Sequence, residues 1–224
     1  MVDARGAKDG RAFTLDRMDD DETMGLTLAT VLPEYMRTQV IPELDAYRFA
    51  KYASTPGVST TTAATLSAQT ILSYLDAAKE QMDSDEVPRE GRVLYISTGC
   101  YNYLCQAVTR LLANETVVQR DVSTLDGMPV IPVPQSRFYT AISLDAGDSA
   151  DAGGFSKDGD TGKDLNFMIV HGPAVVQAAK LNAVKYFPPE VNQTVDGHLW
   201  QHRLYHDAWV LDNRVDGIYY HSKA

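Results

Sequence analysis

Leu32-Pro-Glu-Tyr-Met-Arg-Thr-Gln-Val-Ile-Pro-Glu-Leu-Asp-Ala-Tyr-Arg-Phe-Ala-Lys-Tyr52 reads as one long amphipathic helix. Leu32, Tyr35, Met36, Val40, Leu44 and Tyr47 recur every three or four positions and make one apolar stripe over about six turns. Glu34, Arg37, Thr38, Asp45, Arg48 and Lys51 lie opposite, with Glu34/Arg37 and Asp45/Arg48 at the spacing that lets opposite charges meet. Thr30 is placed as the N-cap, and Pro33 falls in the first turn, where a missing N–H costs nothing. Pro42 cannot donate to the carbonyl of Thr38 and predicts a bend. Ser54-Thr-Pro-Gly57 ends the helix, which reads as a scaffold strut.

Around that helix, 224 residues suffice for a full core in one domain or two. With 44% hydrophobic and 22% charged residues the chain is globular rather than disordered. A net charge of -10 argues against a dedicated nucleic-acid binder, whose phosphate contacts need a basic face. No apolar run has the length of a membrane span, and the start lacks the pattern of a signal peptide, so a soluble, unsecreted protein is expected. Cys100 and Cys105 are too few for a disulfide scaffold and are read as two small buried side chains.

Residues 1–10 are small and polar and read as a frayed end. Arg11-Ala-Phe-Thr-Leu-Asp-Arg17 alternates like a half-buried strand, and a strand so near the start needs a partner from elsewhere. The acidic run Asp19-Asp-Asp-Glu22 is a solvated turn. Val58-Ser-Thr-Thr-Thr-Ala-Ala64 is taken as a linker and the first domain boundary. A second helix buries Ala68, Ile71, Leu72, Leu75, Ala78 and Met82, and is closed by Asp83-Ser-Asp-Glu86, Pro88 and Gly91. Arg92-Val-Leu-Tyr-Ile-Ser97 reads as a strand in a sheet covered on both faces. Ser97 caps a third helix carrying Tyr101, Leu104, Cys105, Val108, Leu111 and Leu112. Asp126-Gly127 is a turn, and the prolines of Met128-Pro-Val-Ile-Pro-Val-Pro134 confine it to an edge strand or a strand followed by a loop. Residues 146–164 read as a flexible surface loop, 165–170 as a strand, and 174–181 as a short helix. From Lys185 long strands are expected, with 198–211 and 215–221 joined as a hairpin through Asp212-Asn-Arg214.

His198, His202 and His206 form the most tempting chemical pattern. On a helix, residues four apart could share a zinc ion. On a strand, four residues span about 13 Å and cannot, and Trp200, Tyr205, Trp209 and Val210 favour strand. His206-Asp207 beside serines does not make an acyl-transfer site, because adjacent strand residues point to opposite faces and no Gly-x-Ser-x-Gly elbow exists. The chain also lacks G-x-x-x-x-G-K-[ST], G-x-G-x-x-G and H-E-x-x-H. Asn114-Glu-Thr116 and Asn192-Gln-Thr194 match a glycosylation sequon by chance. No catalytic residue, metal ligand or cofactor site is assigned.

In their order and spacing, several stretches together resemble the major capsid protein of tailed bacteriophages, the Hong Kong 97-type fold. They are Arg11–Arg17, Arg37-Thr-Gln-Val-Ile-Pro-Glu-Leu-Asp-Ala-Tyr-Arg48, Asp126-Gly-Met-Pro-Val130, Asn166-Phe-Met-Ile-Val-His171, and Arg203-Leu-Tyr-His-Asp-Ala208 leading to Gly217-Ile218. The resemblance covers nearly the whole chain from Arg11. It implies an α+β chain with a long spine helix, a peripheral domain with long antiparallel strands, and an inserted α/β axial domain. The peripheral domain would comprise 11–55 and 182–224, and the axial domain 56–181, with Gly153-Gly154 in a loop near the axial pore.

The function so implied is a self-assembling virion subunit, made in the bacterial cytoplasm, whose hexamers and pentamers enclose double-stranded DNA. Its partners would be copies of itself, with scaffolding and portal proteins and weak non-specific contact to DNA, and no membrane. A bacterial nanocompartment shell protein of the same fold is the alternative, and a metal-dependent enzyme using His198, His202 and His206 a third. Relatives of this kind carry a longer arm and the first strand of an extended loop ahead of the position of Arg11. The chain is therefore expected to be a truncated or shortened prophage product, monomeric or weakly associating at modest concentration. No lysine can be matched to the subunit cross-linking known in part of the family.

Overall fold

The computed structural model describes residues 11–16, 30, 33–111, 121–145, 154–193 and 196–224. The acidic run at 19–22, the sequon at 114–116 and the loop residues 146–153 lie outside them. In chain order, β1 (Arg11–Asp16) precedes a helix that runs from 33 to 53: its middle, Met36–Val40, is π-helical, and α1 (Ile41–Ala53) follows. Then come β2 (Ser59–Thr60), α2 (Ile71–Ser84), β3 (Arg92–Ser97), α3 (Thr98–Leu111), β4 (Thr124–Leu125) and β5 (Met128–Val133). The chain continues with β6 (Ile142–Asp145), β7 (Gly154–Lys157), β8 (Leu165–His171), β9 (Val175–Phe187), β10 (Gly197–Val210) and β11 (Ile218–Ser222).

The expected helix is present, and its anomaly has a local resolution. The Ile41 N–H donates to the Met36 carbonyl, five residues back rather than four. A turn widened just before Pro42 relieves the missing donor and the clash of the pyrrolidine ring with the preceding turn. Glu34 and Arg37 pair as expected, at 2.6 and 2.9 Å. Asp45 does not pair with Arg48; its carboxylate accepts from Arg137 Nη1 at 2.9 Å, a partner that sequence spacing could not reveal. Thr30 is itself helical rather than the cap.

Two compact units make up the chain. The first gathers β1, the helical residues up to Leu44, and most of β9 and β10; the second gathers Asp45–Ser143, Lys157–Val176 and Ala208–Ala224. In the first, β1 runs antiparallel to β10, from Arg11 opposite His202 to Asp16 opposite Gly197, and β9 completes the order β1-β10-β9. The opening strand thus finds its partner near the other end of the chain.

The second unit is built on a six-stranded sheet, in the order β2-β11-β8-β3-β5-β4. On one face α2 sets down Ile71, Leu75, Ala78 and Met82, and α3 sets down Cys100, Leu104 and Ala107, against Leu94, Ile96, Phe167 and Ile169. On α2 that spacing is the stripe read from the sequence, whereas α3 buries Cys100 and Ala107 beside Leu104 and leaves Tyr101 and Val108 of its expected stripe only partly buried. On the other face, Phe49, Tyr52 and Ala53 of α1 pack with Phe138, Met168, Val170, Ala208 and Ile218. All seven residues of β8 are buried, as a strand covered on both sides requires. Ser97 caps α3, its Oγ accepting from the Cys100 N–H at 3.4 Å. Asp126 and Gly127, both with positive φ, turn β4 into β5.

Several readings are corrected. The segment at 58–64 is no free linker: Ser59–Thr60 pairs with Tyr219–Tyr220, and the Ala64 N–H donates to the Ser222 carbonyl. Residues 175–181 are strand, not helix; β9 is held by its neighbour β10, and tertiary pairing overrides the local preference of Ala178-Ala179. Asp212-Asn-Arg214 opens a 3₁₀ turn, Asp212–Gly217, that delivers β11 into a different sheet from β10, so no hairpin joins them. Ile218–Ser222, expected among the peripheral strands, therefore lies between β2 and β8. Within the expected loop, Gly154–Lys157 is strand β7, paired with β6.

Candidate assembly surface

The sheet of the first unit carries an aromatic ladder. Tyr186 of β9 stacks on Trp200 of β10 at 4.8 Å between ring centroids and on His198 at 5.8 Å, and His198 stacks on Trp200 at 5.6 Å. The Tyr186 hydroxyl and His198 Nδ1 are 2.7 Å apart. Residues two apart on a strand share a face, so His198, Trp200 and His202 align on β10. His202 meets the edge of the Tyr35 ring at 6.1 Å, and its burial pushes the imidazole below its ordinary pKa. His202 and His206 are buried, and His198 is half-buried. The three histidines of the tempting series thus sit on one extended strand, where the spacing keeps each about 13 Å from the next. No group of three His, Cys, Asp or Glu suited to a metal ion occurs among the described residues.

The amino-acid pattern announced only the end of β9, from Lys185, because its start reads as helix. Of the seven exposed large hydrophobic side chains among the described residues, Val176, Val184 and Tyr186 fall on β9 and Val191 on the turn after it. Val184, Lys185 and Tyr186 are exposed in succession, so both faces of the strand are open there. Among the described residues nothing pairs with the outer edge of β9. A thirteen-residue edge strand with exposed apolar side chains is a template for association. Tyr and Trp are also the residue types that dominate contact energies between proteins.

The second unit presents a different surface. Arg92, its side chain only 2% exposed, donates to the Val87 and Pro88 carbonyls and to Asp83 Oδ1 at 2.5, 3.0 and 2.7 Å. The Asp83 carboxyl also accepts from exposed Arg89 at 2.6 Å, and Arg89 and then Arg92 hold its pKa below the usual carboxylate range. Lys79 bridges Asp76 and Asp126 beside them. These groups line a cleft of about 640 Å³. Each of these six has a charged partner, so the arrangement ties the end of α2 to β3. Cys100 and Cys105 form no disulfide and are buried as expected, and burial pushes the Cys100 thiol up. No helix among the described residues is long and apolar enough to cross a membrane.

No family profile matches the chain, and no curated protein matches it by sequence. Solved structures do match in shape. A chain of Mycobacterium phage Che8 is 14% identical, with 95% of this chain and 69% of that one aligned at a TM-score of 0.65. The capsid of cyanophage P-SCSP1u gives 16% identity, 96% and 72% coverage, and a TM-score of 0.64. A virus-like particle from Pyrococcus furiosus gives 11% identity, 95% and 74% coverage, and a TM-score of 0.57. The shared feature is the fold, which is that of phage capsid proteins.

Proposed function

We propose that the chain is a structural shell subunit of a tailed phage or prophage, assembling as hexamers and pentamers into an icosahedral capsid around double-stranded DNA. The observation that carries this reading is the fold likeness, which extends over at least 95% of the chain in the structures named above. The edge of β9, unpaired among the described residues, supports it, because a subunit whose work is contact needs surface that a lone copy leaves uncovered. The absence of a catalytic constellation among the described residues is compatible with work spread over many contacts of ordinary interface size. A net charge of -10 suits a shell that does not grip its packaged DNA. In this reading the unit containing β1, β9 and β10 serves as the peripheral domain and the six-stranded unit as the axial one. Assembly takes place in the bacterial cytoplasm, with scaffolding and portal proteins as further partners.

Sedimentation velocity over a concentration series, with electron microscopy of the heaviest fractions, tests the proposal. Concentration-dependent growth into rings of five or six copies is expected. A chain that stays monomeric to its solubility limit overturns it. The likeness to the Pyrococcus furiosus particle supports a second reading, a nanocompartment shell that packages protein. Nuclease-resistant DNA in particles purified from the native host identifies the capsid, and a protein cargo without DNA identifies the compartment.

A further inference from the structure

We infer, building on the shell reading, that β9 of one copy docks head to tail on the acidic ridge of a second copy formed by α2 and the turn that follows it. The first observation is charge. β9 carries Lys180 and Lys185 and no carboxylate, in a chain whose net charge is -10. Both lysines are exposed, Lys180 lies 6.0 Å over the Tyr205 ring, and Lys185 makes no ion pair among the described residues. They flank the exposed Val184 and stand beside exposed Tyr186, so cations and apolar anchors share one strand.

The second observation weighs against full-length self-pairing of that strand. A full-length antiparallel pairing of β9 with β9 of another copy would set the two Lys180 side chains diagonally opposite, and a parallel one would set like against like at every position. A contact between unlike surfaces avoids that repulsion. Such heterologous contacts close into rings when the rotation permits.

The third observation names the other surface. On α2 and the following turn, Asp76, Glu80, Glu86 and Glu90 are exposed, with Asp83 and Asp85 half-buried among them. The cations there are already engaged, Lys79 by Asp76 and Asp126, and Arg89 and Arg92 by Asp83. Glu80 and Glu86 make no ion pair among the described residues and face solvent. A strand with only cations and a ridge rich in unneutralised carboxylates are complementary, and such complementarity steers encounter and sets register.

Three samples test the inference by sedimentation velocity at low and high salt: Lys180→Glu/Lys185→Glu, Glu80→Lys/Glu86→Lys, and their equimolar mixture. All four positions are exposed, and circular dichroism checks that each variant folds. Each variant alone is expected to associate about tenfold more weakly than the unaltered chain, whose own association weakens with salt. The mixture is expected to recover, because every strand then faces a ridge of opposite sign. Variants that associate like the unaltered chain, or a mixture that fails to recover, overturn the inference while the shell reading stands. An unaltered chain that never associates overturns both.

Discussion

Asn166 Nδ2 lies 2.9 Å from His221 Nδ1 across the β8–β11 pair, and 3.0 Å from the Ala64 carbonyl. The amide thus donates both its hydrogens, one to the ring and one to the backbone, while its Oδ1 accepts from the Cys100 thiol at 3.5 Å. His221 Nδ1 is then an acceptor, which places the ring proton on Nε2. That atom has no hydrogen-bond partner among the described residues, and the fully buried ring is stacked on Phe167 at 5.3 Å and edge-on to Tyr74 at 4.8 Å. A second proton would have to enter where an amide N–H already points.

Stability is therefore expected to fall in mild acid. Burial pushes His221 below its ordinary value of 6.5, and burial does the same to His202 and, aided by Arg214 and Arg92, to His171. The unfolded chain takes up protons near pH 6.5 while the native chain does not. Their contribution is complete above that pH and is lost as pH falls from it toward the lowered native values. Thermal melts between pH 7.5 and 5 should show the midpoint dropping. His221→Phe should melt lower at pH 7.5, by roughly 1 to 3 kcal/mol for the N–H left unpaired on Asn166, and show a shallower pH slope. An unchanged slope would acquit His221.

Arg92 and Arg89 share Asp83, yet their removal should differ. Arg92 is enclosed and serves two carbonyls as well as the carboxylate, so Arg92→Ala is expected to cost about 3 kcal/mol or more. Arg89 is 83% exposed, and Arg89→Ala should leave the urea midpoint nearly where it is. Equal losses from the two variants would show that the carbonyl contacts carry no weight.

Gly217 ends the 3₁₀ turn that carries the chain into β11. A Cβ placed there would lie 2.6 Å from the Ala174 Cβ and 3.5 Å from the His171 Cβ. Gly217→Ala is expected to destabilise by about 1 to 3 kcal/mol through forced displacement, measured by urea unfolding. A neutral result would mean that the turn yields freely.

Pro42 offers the opposite expectation. Its absence as a donor is already absorbed by the widened turn at Met36–Val40, so Pro42→Ala removes a constraint rather than a contact. The midpoint should stay level or rise, and the amide of residue 42 should become exchange-protected if the turn reverts to regular helix. A marked loss of stability would mean that packing, not proline, holds the π-helical turn.

Local chemistry was legible wherever it acts over a few residues. The stripe Ile71, Leu75, Ala78 and Met82, the Ser97 cap, the Asp126-Gly127 turn and the Glu34/Arg37 pair each follow from spacing or backbone preference that the sequence displays. The strand state of the histidine series was readable for the same reason. The strand at the start announced its need for a distant partner without saying which.

The sequence by itself determined where the stripe of α2, the Ser97 cap and the doubly buried strands lie, because periodicity and turn chemistry are properties of neighbours. Only the tertiary structure decided that Val175–Phe187 is strand from its first residue, that Ile218–Ser222 joins the second sheet, and that Asp45 meets Arg137. Those outcomes rest on hydrogen bonds and charges between residues far apart in the chain. A ladder partner outweighs the weak helical preference of two alanines, and nothing within a few residues of Val175 records that the partner exists.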